Sequence, residues 1–259
     1  MNQKQRREHL LRFLLDETHK YNGVTMPSDE TDQWNLLRSL MNMREPMPVS
    51  EAFLEMQDAY LQEEIAAKGV TDADSLPSTS TNPKLVLWRG DITTLKADAI
   101  VNAANSAMLG CFTPCHNCID NVIHTYAGVQ LRLECAAIMA RQGHPEPTGT
   151  AKITKAYNLP SKYILHTVGP IVTGVLTDEH RTQLASCYRA CLELAADYGL
   201  SSVAFCCIST GVFCFPNEEA ADIAIKTVSD YLASNNHRMK VIFNVFTQQD
   251  EHIYLQRLG

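Results

Sequence analysis

The sequence has no apolar run that approaches the roughly 20 residues needed for a membrane-spanning helix. It also lacks the GxxxxGK[ST] pattern with which phosphate loops hold a nucleoside triphosphate. Positive charge is in deficit: the formal net charge is −7, and no basic stripe is visible of the kind that a nucleic-acid backbone requires. These absences argue against a membrane protein, a triphosphate-driven enzyme and a nucleic-acid-binding protein.

The first 20 residues are basic and then apolar, but they do not form a secretory signal. Their apolar stretch is short, is interrupted by Arg12 and Asp16, and lacks a small-residue cleavage site. Of nine cysteines, six lie in apolar patterned segments, where a free cysteine behaves as a small hydrophobic residue: Cys135, Cys187, Cys191, Cys206, Cys207 and Cys214. This usage is typical of a reducing compartment, so we expect a cytoplasmic protein.

Residues 1–70 carry helical patterns and no strand signal, which predicts an N-terminal helical extension. The patterns occupy residues 7–17, 32–43 and 50–69, with Ser50 as an N-cap candidate and Gly69 as a stop. Residues 71–83 are rich in Ser, Thr, Asp and Pro without periodicity. They predict a linker or a surface strap.

From residue 84 to residue 259, short β-rich runs alternate with helical stretches. The predicted strands are residues 85–88, 99–104, 151–154, 163–168, 202–209 and 240–246. The predicted helices are residues 119–142, 179–198 and 217–234, the last with Asn217 as a cap candidate. This alternation predicts an α/β fold in which helices cover a sheet, and ligands of such sheets bind at the carboxyl ends of the strands.

Polar residues follow several of these strands. Asp91 stands in RGDIT, where a carboxylate suits recognition of an adenine amino group or a ribose hydroxyl, although an Asp that caps a turn explains it equally well. The small residues of STG (209–211) leave backbone N–H groups free to wrap a phosphate. Without a lysine for a γ-phosphate, the pattern indicates a diphosphate ligand.

The segment GCFTPCHNCIDN (110–121) packs three thiols and an imidazole into eight positions: Cys111, Cys115, His116 and Cys118. Zinc accepts Cys and His ligands at close spacing, so the segment predicts a metal site more strongly than a cluster of reactive thiols. Three protein ligands would leave a fourth coordination position open for water or substrate. Recruitment of Cys115 would close the site and make the metal structural.

Taken together, four motifs resemble the macrodomain family, whose ligand is ADP-ribose: GDIT (90–93), DAIVNAAN (98–105), HTVGP (166–170) and STG (209–211). The resemblance covers about residues 84–246 and implies a macrodomain-like mixed sheet between helices over residues 84–259, preceded by the helical extension. By this resemblance, Asp91 accepts a hydrogen bond from the adenine amino group and Ile92 offers its backbone.

The same resemblance implies the residues around the diphosphate and the distal ribose. Asn102 and Asn105 would hold that ribose, which carries the modified side chain. The residues that would wrap the diphosphate and flank the ribose are Ser209, Thr210, Gly211, Val212 and Phe213. A core position is the alternative for Phe213.

The sequence departs from the commonest macrodomains after NAAN, where their run of glycines is replaced by the cysteine-rich segment. The pattern GCFxPxHxCIDNxIH resembles the zinc-dependent subgroup, and the match implies Cys111, His116 and Cys118 as the Zn²⁺ ligands. In the implied reaction, zinc polarises a ribose hydroxyl or a water, while Asn105 and Asp120 fix the sugar and manage the proton. A helix cap is the alternative role for Asp120.

The subgroup implies a hydrolase that removes mono-ADP-ribose from protein side chains, next to a sirtuin-like ADP-ribosyltransferase in the same pathway. The modified protein would resemble a lipoyl-carrier protein of the glycine-cleavage H type. The alternative is a non-catalytic ADP-ribose-binding module with a structural zinc. A zinc-finger module is disfavoured because there is a single cluster and no basic face. For His124 and His166 we expect structural roles.

Overall fold

The computed structural model describes residues 1–234 and 239–259. The helices are α1 (Gln3–Asp16), α2 (Glu30–Met43), α3 (Glu51–Lys68), α4 (Ile119–Ala127), α5 (Val129–Gln142), α6 (Asp178–Asp197), α7 (Asn217–Ser234) and α8 (Gln248–Leu258). The strands are β1 (Thr71–Asp72), β2 (Leu85–Arg89), β3 (Leu95–Lys96), β4 (Ala99–Ala104), β5 (Ala151–Lys155), β6 (Tyr163–Val168), β7 (Ser202–Phe205) and β8 (Lys240–Val245). Short 3₁₀ turns lie at His19–Tyr21, Ala73–Ser75 and Ile92–Thr94.

A six-stranded sheet forms the centre of the molecule, in the order β2-β8-β7-β4-β6-β5. Its strands pair in parallel except β5, which runs antiparallel to β6 at one edge. β4, β7 and β8 are apolar along most of their length, as expected of strands with both faces covered by helices. The predicted mixed sheet between helices is thereby confirmed, and the carboxyl ends of the parallel strands meet at one edge.

The N-terminal helices are confirmed, and they pack against the rest of the chain. α1, α2 and α3 bury their own apolar cluster, which Val129 of α5 joins. Ser50 caps α3 and Gly69 ends it, as predicted. Residues 71–83 are more ordered than a linker, because Thr71 and Asp72 pair in parallel with β3. This pairing, which begins three residues after the end of α3, anchors the C-terminal end of the extension to the sheet domain.

The single helix expected over residues 119–142 was wrong, since Gly128 divides it into α4 and α5. Gly128 has φ +95°, and a Cβ there would lie 2.6 Å from side-chain atoms of both Gln57 and Gln130. A residue with a side chain would be strained by this backbone conformation and crowded by these contacts. The break turns α5 toward the extension, so that Val129 donates its N–H to Gln57 Oε1 at 3.0 Å.

Two further boundaries differ from the sequence prediction. The strand expected over residues 202–209 ends at Phe205, and the chain then forms a loop in which Ser209 and Cys214 adopt positive φ angles of 66° and 55°. Asn217 belongs to the first turn of α7, where its amide donates to Asp250 Oδ1 at 2.6 Å.

None of the helices in the described part of the chain is long and apolar enough to cross a membrane. All nine cysteines are free. Cys135, Cys187, Cys191 and Cys206 are buried as small hydrophobic residues, whereas Cys207 is half-buried and Cys214 is exposed. The expectation of a buried, apolar position was therefore wrong for Cys214.

Candidate functional site

A cavity of about 870 Å³ opens at the edge of the sheet where the parallel strands end. Four chain segments that follow β2, β4, β7 and β8 supply most of its wall, together with the start of α4. The predicted site residues that line it are Asp91, Ile92, Asn105, Cys111, His116, Cys118, Asp120, Ser209, Thr210, Gly211, Val212 and Phe213. The structure thus brings residues that are 122 positions apart in sequence into one concave site of a size typical for small-molecule ligands.

Asp91 caps a turn, one of the two roles that the sequence left open, and it also lines the cavity. It is the N-cap of the 3₁₀ turn after β2, and Oδ1 accepts from the N–H and the hydroxyl of Thr93 at 3.0 and 2.6 Å. Oδ2 accepts from Lys68 Nζ at 2.8 Å and faces the same cavity. Burial raises the pKa of Asp91, but the hydrogen bonds from Lys68 and Thr93 outweigh burial and hold the pKa below its usual value. An ionised acceptor at this wall suits an amino group such as that of adenine.

The loop after β7 presents backbone donors to the cavity. The N–H groups of residues 211–213 donate to no protein acceptor within residues 1–234 and 239–259. Successive free N–H groups in a turn form a concave site for an anion. Phe213 is half-buried at the cavity wall, while the core aromatic of this loop is Phe215, which is 1% exposed. The core alternative for Phe213 was therefore wrong.

Gly169 of the HTVGP motif makes room for this loop. A Cβ at position 169 would lie 2.0 Å from Ser209 Oγ and 2.9 Å from Ile208 Cγ2. Both distances are shorter than those that real Cβ atoms make, so a side chain at position 169 would displace the loop around Ser209. This is why the motif, which lies outside the cavity wall, contributes to the site.

The predicted metal ligands meet in space. The ligand atoms of Cys111, His116 and Cys118 all lie within 4.8 Å of one another. Burial raises the pKa of the Cys118 thiol to about 12, and the neighbouring thiol of Cys111 adds to this effect. A thiol in this environment needs a cation to be held as a thiolate. Two sulfurs and one imidazole nitrogen, without a carboxylate among them, fit zinc rather than magnesium or calcium.

Cys115 does not face the other thiols. Its Sγ lies 3.3 Å from the carbonyl oxygen of Asn35 and 3.3 Å from the hydroxyl of Ser39, both on α2. Its N–H donates to Asn42 Oδ1 at 3.0 Å, and its φ of 51° turns the side chain away from the ligand cluster. The geometry therefore groups three candidate ligands at the cavity wall and leaves Cys115 outside that cluster.

Asp120 is not the helix cap. The N-cap of α4 is Cys118, whose Sγ accepts from the N–H of Asn121. Asp120 instead accepts from the amide of Asn102 at 2.8 Å and from the amide of Asn105 at 3.2 Å. Burial raises its pKa to about 6, against the opposing effect of these hydrogen bonds and of Arg132. An oriented, buried carboxyl group with a shifted pKa is the type of group that transfers protons in active sites.

Asn102 lies behind the cavity wall rather than in it. Its side chain is fully buried, and its amide nitrogen lies 3.1 Å from Nδ1 of His166 while it donates to Asp120. Asn105 does line the cavity, and its amide also donates to the carbonyl of Gly110 at 3.1 Å. In this geometry Asn105 is the amide available to a ribose, and Asn102 orients Asp120.

The two histidines behind the wall differ. His166 is fully buried and contacts the hydroxyl of Thr154 through Nε2 at 2.8 Å, which fits a structural role. Burial lowers its pKa to about 3. Neither ring nitrogen of His124 has a hydrogen-bond partner among the described residues, although Nε2 lies 3.6 Å from Asp120 Oδ1. Burial also lowers the pKa of His124, so both rings are neutral.

Among the cavity-wall residues that sequence reasoning missed are two aromatic residues and two cations. Phe246 follows β8 and is 76% exposed, with its ring available to a ligand base. Tyr126 lies on α4, and Lys68 of α3 sits 3.6 Å from the centre of its ring. Arg38 reaches the wall from α2. The sequence motifs did not predict Arg38 and Lys68 as wall residues, because both belong to the N-terminal extension, which lies outside the motifs.

Known proteins resemble the chain over most of its length. The family model of the Macro domain matches residues 101–224. A protein-ADP-ribose hydrolase of Treponema medium is 60% identical over 256 residues, which cover 98% of each chain. One of Staphylococcus aureus (strain MSSA476) is 50% identical over 253 residues, which cover 97% of this chain and 94% of the relative.

Among solved structures, the Trypanosoma brucei macrodomain in complex with ADP-ribose matches with a TM-score of 0.66 and 30% sequence identity. The match covers 86% of this chain and 95% of that chain. The similarity therefore extends from the sequence to the arrangement of the sheet and its helices.

Proposed function

The chain belongs to the macrodomain family, and on that basis we propose that it is a zinc-dependent hydrolase that removes mono-ADP-ribose from modified protein side chains. The proposal rests on one observation: the three candidate metal ligands and the carboxyl group of Asp120 line the same cavity. Relatives named protein-ADP-ribose hydrolase support the reaction.

ADP-ribose would lie across the cavity with its adenine at Asp91. Oδ1 of that carboxylate accepts from Thr93 and Oδ2 accepts from Lys68, whose charge neutralises it, so an amino group can approach the carboxylate without burying an unpaired charge. The ring of Phe246 offers an apolar face nearby. The free N–H groups of residues 211–213 would receive the diphosphate.

Cys111, His116 and Cys118 would hold the metal ion. When bound, zinc would keep the thiols ionised and supply a Lewis acid that polarises a ribose hydroxyl or a water.

Asn105 and Asp120 would act on the distal ribose. The amide nitrogen of Asn105 is committed to Gly110 and Asp120, and its Oδ1 already accepts from the N–H of Ala107 at 3.0 Å. The second lone pair of that oxygen remains for a sugar hydroxyl. Asp120 would take a proton from the water that attacks the anomeric carbon and pass a proton to the modified side chain as the bond between that side chain and the carbon breaks, because the two asparagine amides hold its carboxyl group in one orientation.

We also propose the setting of the reaction. The substrate would be a mono-ADP-ribosylated protein that resembles a lipoyl-carrier protein of the glycine-cleavage H type, modified by a sirtuin-like ADP-ribosyltransferase. Nine free cysteines support a cytoplasmic location. Neither a nucleic acid nor a membrane is a proposed partner, in keeping with the net charge of −7.

The test compares release of ADP-ribose from a mono-ADP-ribosylated protein by the native enzyme, by enzyme freed of metal with a chelator, and by the latter after zinc is returned. We expect the native enzyme to release ADP-ribose, the metal-free enzyme to release none, and the enzyme with zinc returned to release it again. Release that persists in protein shown to be metal-free would refute the zinc dependence and keep the hydrolase. Absence of release in all three samples, with ADP-ribose still bound, would favour the binding module.

A further inference from the structure

Asn121 contacts two of the three predicted ligand residues, Cys111 and Cys118. It is fully buried directly after Asp120 in the first turn of α4. Its N–H donates to Cys118 Sγ at 3.4 Å, and its side-chain amide donates to the carbonyl oxygens of Cys111 at 3.2 Å and Thr113 at 2.9 Å. Through its backbone N–H and its side chain, this one residue therefore ties the end of the ligand loop (residues 110–118) to its start.

Arg38 of the N-terminal extension completes this set of contacts. Its Nη2 donates to Asn121 Oδ1 at 2.9 Å and to the carbonyl oxygen of His116 at 2.7 Å. Hydrogen bonds from a charged donor are shorter and stronger than those between neutral groups. Arg38 thus connects α2 directly to the backbone of His116. Through Asn121 it also connects α2 to the backbone of Cys111 and to the sulfur of Cys118.

The contact face of α2 is continuous along the helix. Asn35, Arg38, Ser39 and Asn42 follow the spacing that places side chains on one side of a helix, and all four contact the ligand loop or Asn121. The loop itself has no regular secondary structure and, unlike the usual macrodomain loop, only one glycine. Its conformation is consequently set from outside, by the extension.

We infer that Asn121 and Arg38 are positioning residues for the metal ligands, so that the N-terminal extension is a working part of the metal site. The inference rests on the proposed zinc site. Side chains that orient metal ligands from behind typically change metal affinity by about ten- to hundredfold when they are removed. Arg38 acts across the boundary between the extension and the sheet domain, which gives the extension a function that its sequence does not indicate.

The experiment measures zinc affinity of the full chain by competition with a chromogenic chelator. Arg38→Met keeps the length of the side chain and removes both hydrogen bonds. The matched control is Arg6→Met, which removes another arginine of the extension whose side-chain partners are Gln3 and Glu63. We expect Arg38→Met to bind zinc about ten- to hundredfold more weakly than the wild type, and Arg6→Met to match the wild type.

ADP serves as a second probe, which reports whether the control variant keeps the cavity intact. Its affinity should be the same in Arg6→Met as in the wild type. Wild-type zinc affinity in Arg38→Met would overturn the inference, and so would an equal loss in both arginine variants, which would indicate a general loss of stability.

If Arg38→Met does not fold, as judged by circular dichroism, Arg38→Lys replaces it. Lysine keeps the charge but is too short to reach both acceptors, so zinc affinity should still fall by several-fold, and an unchanged affinity overturns the inference. A wild-type protein that binds no zinc would instead refute the proposed zinc dependence, before any variant is compared.

Discussion

Cys115 provides a direct test of the open metal site, because it lies between two predicted ligands in sequence and yet faces α2. Serine at this position would replace one weak pair of sulfur contacts, each at 3.3 Å, with hydroxyl contacts to the same partners. A net hydrogen bond contributes about 1 kcal/mol, and those to sulfur contribute less. We therefore expect Cys115→Ser to keep its zinc and its activity and to lose less than about 1 kcal/mol of stability.

Cys118→Ser is the comparison variant. It makes the same thiol-to-hydroxyl change three positions away in the same loop, but at a predicted metal ligand. Serine is a good N-cap, so the N–H of Asn121 keeps an acceptor and α4 stays formed. Zinc binding by four ligands is worth about 10–16 kcal/mol, or about 3 kcal/mol for each ligand. Loss of one ligand should weaken zinc binding by about a hundredfold or more.

The assay is elemental analysis of zinc after dialysis against a chelator, together with release of ADP-ribose from a modified protein. Zinc should remain in Cys115→Ser and be lost from Cys118→Ser. If both variants lose zinc to the same extent, Cys115 is a fourth ligand, the metal is structural, and the interpretation of its orientation toward α2 is wrong.

Three further predictions follow from buried contacts. Asp120→Asn keeps the shape of the side chain, so turnover should be lost while calorimetry still detects ADP-ribose binding. Gly169→Ala should weaken ADP-ribose binding at least tenfold, because the added methyl group collides with Ser209 Oγ. Because burial lowers the pKa of His166 to about 3, the unfolded chain binds more protons below about pH 6.5. As the pH is lowered from about 6.5 to about 3, the free energy of unfolding should decrease by about 1.4 kcal/mol per pH unit. The variant His166→Gln should show a smaller decrease per pH unit.

A different result would contradict each of these three predictions. Unchanged turnover in Asp120→Asn would remove that carboxyl group from the mechanism. Normal ADP-ribose affinity in Gly169→Ala would mean that the loop around Ser209 adapts without cost. For the acid range, an identical slope in the wild type and in His166→Gln would assign the loss of stability to other groups that face this ring, of which His124, Cys135 and Asp120 are the nearest titratable ones.

Much of the fold could be predicted because its signals are local. The three helices of the extension have apolar residues at helical spacing. The third of them, α3, also has Ser50 as its N-cap and Gly69 at its end. The strand boundary at Phe205 could not be predicted, because Cys206, Cys207 and Ile208 are as apolar as the strand before them. Likewise, the break at Gly128 depends on crowding by Gln57, which is distant in sequence.

The predicted wall residues share a different property. Motif residues such as Asp91 and Asn105 follow strand ends within two residues in sequence, so topology alone brings them to one edge of the sheet. Phe246 was missed because it ends an apolar run and looks like a core residue, although it is exposed at the cavity.

The sequence by itself determined the class of fold, the order along the chain of the six strands of the central sheet and the segment that holds the candidate metal ligands, because all of these depend on periodicity and on short motifs. Only the tertiary structure decided which way Cys115 faces, that Asp120 is held by two amides rather than capping a helix, and that Lys68 and Arg38 reach the cavity. These features depend on contacts between segments that are distant along the chain, and such contacts exist only after the extension has packed against the sheet domain.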